Sequence, residues 1–424
     1  MTDAQFATVS SIYTLGGLIG ALSSGPLSSK RGRLFALRVS TPFHILGALV
    51  EATASNIPLM AIGRLFSGLG SGAALVVGPI YISEIAPSGA KGALGACTQI
   101  MTNTGILISQ VLGYFLSYNS MWRIILGTAG ALGLVQLSFL VFACESPEWL
   151  GANGKIDTAR KTLKMIRGNT VDNNEIAKWA AQGEESDENQ GLLTPPQSPH
   201  PHANAIRPTS SVGFFSVVRH PDHWQAVVAV LGIMLAQQLT GINSVFFYSV
   251  DFLSPIIPTG AALITVTVGA LNLVVTIACS PLSDKLGRKP CLLASITGMG
   301  VSAILLGCAI MFNIQILAAI ATLAFVASFA VGLGPVPFIL ASELASPEAA
   351  GAVQSWALAA NWIATFLVAQ FFPTLNRALD HGRVFFVFAA MAAVFFVFTS
   401  WWIPESKGKK DADEVWGRES RRAD

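Results

Sequence analysis

Charged residues are scarce in this chain of 424 residues. They make up 12% of it, whereas a soluble globular domain carries about 25%. Lys and Arg number 26 and Asp and Glu 24, so the net charge of +2 gives little attraction for a polyanion. These shortages argue against a soluble enzyme and against nucleic acid as a partner.

Motifs that carry catalysis or bind cofactors are also lacking. The five cysteines form no CxxC pair, and no P-loop, dinucleotide fingerprint or hydrolase-type Ser/His/Asp order occurs. His220 and His223 are three residues apart but lie in a polar segment, which does not favour a metal site. The sequence therefore predicts a protein that is not an enzyme, with no cofactor and no metal ion.

Long apolar runs, in contrast, are abundant. Hydrophobic residues make up 52% of the chain, and its mean hydropathy is +0.57. A membrane-crossing helix needs about 20 mostly apolar residues. Eleven runs are long enough, at about 7–28, 35–54, 58–81, 92–116, 122–144, 224–250, 259–283, 290–311, 314–341, 351–375 and 383–403. We therefore expect an all-α, polytopic membrane protein with about eleven transmembrane helices.

Polar residues concentrate between the fifth and sixth runs. This stretch joins a basic, helix-like part to a low-complexity run rich in Pro and Ser, which is typical of a disordered linker. We expect an N-terminal bundle of five helices at 1–144 and a cytoplasmic loop at 145–223. A C-terminal bundle of six helices at 224–404 and a cytoplasmic tail at 405–424 would follow.

Positive charge indicates the orientation, because Lys and Arg are enriched in cytoplasmic loops. Three basic residues lie on the side away from the central loop: Arg123, Arg377 and Arg383. Nine near span ends are assigned to the loop side: Lys30, Arg31, Arg33, Arg38, Arg64, Lys91, Lys285, Arg288 and Lys289. Residue 1 is then outer or lumenal, so we expect the N-terminal bundle to lack one preceding helix and to leave an open groove.

The two halves repeat the same elements in register. GPLSSKRGR at 25–33 matches SPLSDKLGRK at 280–289, and the acids after the later spans also match. Opposite charges at neighbouring helix ends could form ion pairs that latch the cytoplasmic face and break on opening. The predicted latch residues are Arg33, Arg64, Glu84, Lys91, Glu145, Arg288, Glu343 and Glu405. The alternative is that these charges only set the orientation.

Further motifs give a specific resemblance. They are GRLFSGLG at 63–70, PIYISEIAP at 79–87, QQLTGIN at 237–243, GLGPVP at 332–337, the pair Asn361-Trp362, and PESKG at 404–408. In this order and spacing, they resemble the sugar porter family of the major facilitator superfamily. The resemblance implies two pseudo-symmetric helical bundles and transport of a hexose or related sugar or polyol by alternating access. Facilitated diffusion and proton symport both stay open.

The resemblance also implies where substrate binds. The family's sugar-contacting positions fall on Gln99, Gln110, Gln237, Gln238, Asn243, Asn272, Phe338 and Trp362. The residues themselves agree in part, since Gln99 and Gln110 are eleven residues apart and share one helix face. Amides suit sugar hydroxyls because each offers both a donor and an acceptor without a charge. The alternative is that these amides only join neighbouring helices.

Several positions depart from the family pattern. Ala330 stands where glucose-selective members carry Glu, Phe338 where they carry Trp, and Ala350 and Ser29 replace polar residues of the cytoplasmic turns. The first two changes remove hydrogen-bonding capacity, so the preferred sugar or polyol would differ. They also keep open an exporter of a non-sugar metabolite. A truncated, non-transporting product is a third reading.

The central loop contains a predicted sorting signal. Glu188, Leu192 and Leu193 fit the acidic dileucine pattern ExxxLL, which a sorting adaptor binds when the segment is exposed. The chain also resembles vacuolar and lysosomal sugar porters. We therefore expect a multi-pass protein of the vacuolar membrane, with the plasma membrane as the alternative.

Overall fold

The computed structural model describes residues 3–87, 91–168, 216–219, 223–257, 260–346, 349–380, 382–409 and 412–417. Within these ranges the regular structure is entirely helical. The long helices are α1 (Asp3–Arg31), α2 (Arg33–Thr53), α3 (Ile57–Ile85), α4 (Lys91–Leu116), α5 (Trp122–Phe142), α9 (Trp224–Leu239), α10 (Ile242–Leu253), α11 (Ala261–Cys279), α13 (Arg288–Met311), α14 (Gln315–Val331), α16 (Ala350–Ala378) and α17 (Val384–Trp402). The short ones are α6 (Pro147–Ala152), α7 (Ile156–Arg167), α8 (Ser216–Arg219), α12 (Leu282–Leu286), α15 (Val336–Glu343) and α18 (Ala412–Val415).

Ten helical segments in the described part of the chain are long and apolar enough to cross a membrane. They include α9 with α10 and α14 with α15, each pair forming one broken crossing. The remaining expected span is α4, which has 26 residues but is not among the ten. Its glutamines, asparagine and threonines lower its mean hydropathy. The prediction of an all-α, multi-pass membrane protein is confirmed.

Both broken crossings lie in the second half, and glycine and proline cause the breaks. Gly241 separates α9 from α10 in a left-handed conformation with φ of 97°, which residues with a Cβ rarely adopt. Gly332 ends α14, and Pro335 precedes α15. Proline removes one backbone donor, so the local carbonyl groups need other partners.

Close helix contacts hold the first half together. Gly16 and Gly20 of α1 face the backbone of α3, where an added Cβ would lie 2.2 Å and 2.1 Å from a carbonyl oxygen. The α2–α3 pair is equally close, because a Cβ on Gly47 would lie 2.3 Å from the backbone nitrogen of Ser67. Small residues let membrane helices approach in this way.

Among the described residues, the most extensive contacts between the two halves are made by two helix pairs, α1 with α16 and α4 with α11. In the second half, α9 packs against both α16 and α17. Among the described residues, no helix takes the corresponding place against both α4 and α5. Large apolar side chains on these two helices are exposed, including Met101, Phe115 and Phe139.

Candidate functional site

The predicted latch pairs form in both halves. The guanidinium of Arg33 binds both carboxylate oxygens of Glu84, with Nη2 2.7 Å from Oε1. Arg288 binds Glu343 in the same two-pronged way, with Nη2 2.9 Å from Oε1. In addition, Nη1 of each arginine donates to the carbonyl oxygen five residues earlier. Such paired bonds hold both partners in one geometry.

The other two predicted acids do not pair with arginine side chains but bind backbone groups. Glu145 accepts hydrogen bonds from the first two N–H groups of α2, with lengths of 2.9 and 3.0 Å. Glu405 does the same for α13, at 2.9 and 3.1 Å. A carboxylate at a helix N-terminus accepts hydrogen bonds from N–H groups that have no partner within the helix. Its negative charge also interacts favourably with the positive end of the helix dipole. These acids therefore fix the two turns to the ends of α5 and α17.

Arg64 does not belong to the latch, and the prediction that placed it there is wrong. It lies on the second turn of α3, whereas Glu84 lies on the last. Its Nε is 3.4 Å from Oε2 of Glu51, near the end of α2 away from the central loop. Arg64 therefore belongs to the end of the bundle opposite Arg33 and Glu84. When Arg64 is counted on the opposite side, eight of the basic residues near span ends lie on the loop side and four on the opposite side. The excess of positive charge therefore remains on the loop side.

Lys91 is the first residue of α4, and its side chain lies outside the described residues. The predicted sorting residues Glu188, Leu192 and Leu193 also lie outside them. Within the part of the chain that is described, no group of three His, Cys, Asp or Glu residues could hold a metal ion.

Gln237 is the centre of an amide network in the second half. Its Nε2 donates to the carbonyl oxygens of Leu333 and Gly334, at 2.7 and 3.1 Å, where the crossing of α14 and α15 is broken. Its Oε1 accepts from Asn361 at 2.6 Å and from Gln238 at 3.1 Å. An amide has two donors and two acceptor positions, so this side chain is fully bonded within the protein.

Gln238 and Asn243 continue this network across the break at Gly241. Asn243 donates to Oε1 of Gln238 at 2.5 Å and to the hydroxyl of Thr365 at 3.3 Å. Gln238 retains one donor and one acceptor position, and Oδ1 of Asn243 makes none of these bonds. Unlike Gln237, both side chains have hydrogen-bonding capacity left.

A second polar group joins the two halves. Gln99 donates to Asn103 at 3.1 Å, and Asn103 donates to Thr276 at 2.8 Å. Gln99 and Asn103 lie on α4, and Thr276 lies on α11. The predicted Gln99 position is therefore linked to the contact between the bundles.

Three of the remaining predicted positions carry buried polar atoms that have no hydrogen-bond partner. These are Oε1 of Gln110, Oδ1 of Asn272 and Nε1 of Trp362. Gln110 lies against Gly269 of α11, where an added Cβ would meet its amide oxygen. Buried polar atoms in native proteins are nearly always hydrogen-bonded. A polar ligand between the halves would satisfy such atoms.

Phe338 and Trp362 have an apolar setting. Both pack on a cluster that includes Val76 of the first half and Leu358 of the second. The indole of Trp362 also meets the ring of Tyr13 edge to face, with centroids 6.3 Å apart. Aromatic faces of this kind suit the apolar side of a sugar ring and connect the two bundles.

Some of these contacts were not predicted from the sequence. Thr276, Thr365 and Asn361 were not proposed as partners, and Glu51 was not singled out. The available signal was polarity inside an apolar run, since a carboxylate or amide at membrane depth is costly unless it has a role. Pairing itself depends on how neighbouring helices are rotated.

Comparison with known proteins identifies relatives along nearly the whole chain. Residues 2–415 match the family described as "Sugar (and other) transporter". A probable metabolite transport protein of Saccharomyces cerevisiae is 33% identical over 421 residues, or 98% of this chain and 83% of the relative. Vacuolar protein sorting-associated protein 73 of the same yeast is 31% identical over 409 residues, or 96% and 82%.

The solved structure of the xylose transporter XylE from E. coli, in a partially occluded inward-open conformation, shares the fold. It superposes with a TM-score of 0.78 at 25% identity, covering 96% of this chain and 89% of that one. A second structure describes XylE as a proton:xylose symporter of the major facilitator superfamily, bound to 6-bromo-6-deoxy-D-glucose.

Proposed function

The chain belongs to the sugar porter family of the major facilitator superfamily, and on that premise we propose that it moves a hexose or related sugar or polyol across a membrane by alternating access. The observation that carries this proposal is the set of unpaired buried atoms on Gln110, Asn272 and Trp362. All three lie on helices at the contact between the bundles, α4, α11 and α16. Sugar hydroxyls would supply the missing donors and acceptors.

Gln238 and Asn243 complete the proposed sugar contacts on the second half, with Gln99 on the first. Gln238 and Asn243 flank the break at Gly241. Carriers of this kind bind their substrates at broken helices. Gln237 has another role, because its four hydrogen bonds leave none for a sugar. It is a positioning residue that ties α9 to the second broken crossing and orients Gln238.

The latch is proposed to control access from the cytoplasmic side. Arg33 with Glu84 and Arg288 with Glu343 hold helix ends within each half, and Glu145 and Glu405 tie the turns to the last helices. When the cytoplasmic side opens, these ends must shift relative to one another. Charge-assisted bonds at the membrane surface then stabilise the closed cytoplasmic face, to which the carrier must return in every cycle.

Transport by the purified chain in vesicles tests this function. We expect saturable uptake of at least one labelled hexose, pentose or polyol, with competition among sugars of related shape. Labelled carboxylic acids and amino acids provide the comparison. Uptake of these compounds with no uptake of any sugar would contradict the proposal.

A non-sugar metabolite is the second candidate substrate. Ala330 and Phe338 favour it, because they lack the hydrogen-bonding groups of glucose-selective members, and the yeast relative at 33% identity is named for metabolite transport. The intact amide set at 237–243 favours the sugar. The same panel separates the two.

We further propose the vacuolar membrane as the location. One yeast relative is named for vacuolar protein sorting, and Glu188, Leu192 and Leu193 form an acidic dileucine pattern that a sorting adaptor would bind. Replacing Leu192 and Leu193 with alanine should move a fluorescently tagged chain to the cell surface. Leu305→Ala, which removes a leucine side chain at an exposed site on α13, is the control. Unchanged vacuolar fluorescence in the double variant would refute the signal.

A further inference from the structure

Glu51 is a carboxylate buried inside the membrane region of the first half. It lies in the last turn of α2, at the end away from the central loop, and only 3% of the residue is exposed. Its Oε2 is 3.4 Å from Nε of Arg64, and its Oε1 is buried with no hydrogen-bond partner. Burying a carboxylate in this way is costly, and an ionisable side chain in a transmembrane helix marks an ion pathway or relay.

Close packing of α2 on α3 places Glu51 there. Gly63 lies beside it, and a Cβ added to Gly63 would lie 2.7 Å from the Glu51 side chain. One level deeper, a Cβ on Gly47 would meet Ser67. Two turns before Glu51 on the same face of α2, the ring of His44 lies 3.3 Å from the hydroxyl of Ser71. The two antiparallel helices thus enclose a ladder of polar groups.

The charged and titratable groups around Glu51 come from each helix that packs on α2. Arg64 belongs to α3, and Arg123 of α5 donates to the carbonyl oxygens of Ala52 and Ala54, at the end of α2. Tyr13 of α1 lies close enough to Ser71, Arg64 and Glu51 to interact with them electrostatically. His44 is on α2 itself. Arg64 thus lies within ion-pair distance of the Glu51 carboxylate, whereas Arg123 binds the backbone at the end of α2.

A cavity of about 570 Å³ lies at this end of the bundle. The polar groups in its lining are Ser55, Asn56, Arg64 and Arg123, and Trp122 and Met60 add apolar surface. The side chain of Arg64 is 35% exposed, whereas that of Glu51 behind it is 4% exposed. Arg64 therefore lies between the cavity and the Glu51 carboxylate.

We propose that Glu51 is the proton-binding group of a proton-coupled transport cycle, an inference that rests on the proposed sugar transport. A proton from the cavity side adds to Oε1 and converts the carboxylate into a neutral carboxylic acid. Arg64 keeps its charge, loses its counter-ion and turns towards the water of the cavity. Tyr13 connects this change to the substrate, because its ring packs on that of Trp362, one of the proposed sugar contacts. Deprotonation towards the other side restores the ion pair.

Vesicles containing the purified chain test the assignment, with labelled D-glucose as the probe. One proton per sugar and a gradient of one pH unit support at most about tenfold accumulation. We expect this for the wild-type chain. Glu51→Gln should still exchange labelled for unlabelled glucose at equal concentrations, yet its accumulation ratio should stay near one. Asp380→Asn is the matched control, because Asp380 is 86% exposed, pairs only loosely with Arg383, and should leave accumulation unchanged.

Each outcome decides something different. Absence of exchange in the wild-type chain, for D-glucose and for every other labelled sugar or polyol of the transport panel, would refute the proposed function, and this assignment with it. Exchange without accumulation in the wild-type chain, or accumulation by Glu51→Gln, would overturn the assignment alone. Should Glu51→Gln fail to fold, a hydrophobic carbodiimide, which modifies protonated carboxyl groups, is applied to the wild-type chain. Labelling of Glu51 that falls as the pH rises supports the assignment, and labelling independent of pH contradicts it.

Discussion

The two halves of the molecule are alike at the end that faces the central loop and unlike in their interiors. At the loop end, Arg33 and Arg288 each hold an acid with two bonds. Gly32 and Gly287 adopt nearly the same backbone conformation, with φ of 103° and 107°. In both halves, the arginine also donates to the carbonyl oxygen of the residue five positions earlier.

In the interiors, the chemistry differs. The first half buries a carboxylate, Glu51, beside the partly exposed Arg64, between unbroken helices. The second half buries neutral amides around Gln237 and interrupts two crossings next to them. The repeated parts are those that any rocking motion of two bundles requires. The parts that differ are those where substrate and proton would bind.

Replacing Gln237 with alanine should have the largest effect on stability. Two carbonyl oxygens and two side-chain amides would lose their partner in a buried site, which we expect to cost about 3 kcal/mol. The midpoint of thermal unfolding in detergent measures it. Gln315→Ala, at an exposed position at the start of α14, should stay within about 0.5 kcal/mol. Equal midpoints for the two variants would show that the network around Gln237 does not stabilise the second half.

Alanine at Gly32 or Gly287 tests whether the repeated turns are equivalent. Their φ and ψ, near 105° and 160°, are essentially restricted to glycine, and a Cβ would lie 2.2 Å or 2.6 Å from the capping carboxylate. We expect about 2–3 kcal/mol of destabilisation for each, by thermal unfolding. Gly154→Ala shares a positive φ of 72° but has open space around it, so it should lose only about 1 kcal/mol. A large difference between the first two variants would break the equivalence of the two turns.

Replacing Gln238 or Asn243 with alanine should affect substrate binding rather than folding. Each loses a hydrogen bond to a sugar hydroxyl, and one decade in affinity corresponds to about 1.4 kcal/mol. We therefore expect the half-saturation concentration for uptake to rise at least tenfold at normal protein level. Ser254→Ala, which removes only a local bond at the end of α10, is the control. Wild-type concentration dependence in Gln238→Ala would mean that these amides only join helices.

Alanine at Arg33 or Arg288 should have the smallest effect, and on rate alone. Without the ion pair the closed cytoplasmic face is less stable, so we expect the maximal uptake rate to fall by less than about tenfold, equivalent to 1.4 kcal/mol. The half-saturation concentration should stay unchanged. Arg383→Ala removes an exposed pair with Asp380 and should change neither quantity. A change in half-saturation for one arginine but not the other would show that the halves open differently.

The position of Arg64 was predicted wrongly from the sequence. Its motif places it at a span end, and the count of basic residues assigned it to the loop side. The second turn of a 29-residue helix lies far from its last turn, at about 1.5 Å per residue. Its partner Glu51 is 13 positions away in the sequence but directly across the α2–α3 contact. Such a pairing follows from the crossing of two helices, which no local pattern contains.

The sequence by itself determined ten of the expected membrane spans and the two repeated turns at the end that faces the central loop. Spans follow from composition, because a bilayer admits only long apolar helices with satisfied backbones, and the turns follow from short repeated motifs. Only the tertiary structure decided which polar groups meet: Gln237 with the broken crossing, Asn103 with Thr276, and Glu51 with Arg64. Each of these contacts depends on the rotation and depth of two helices, which are set by packing across the whole bundle.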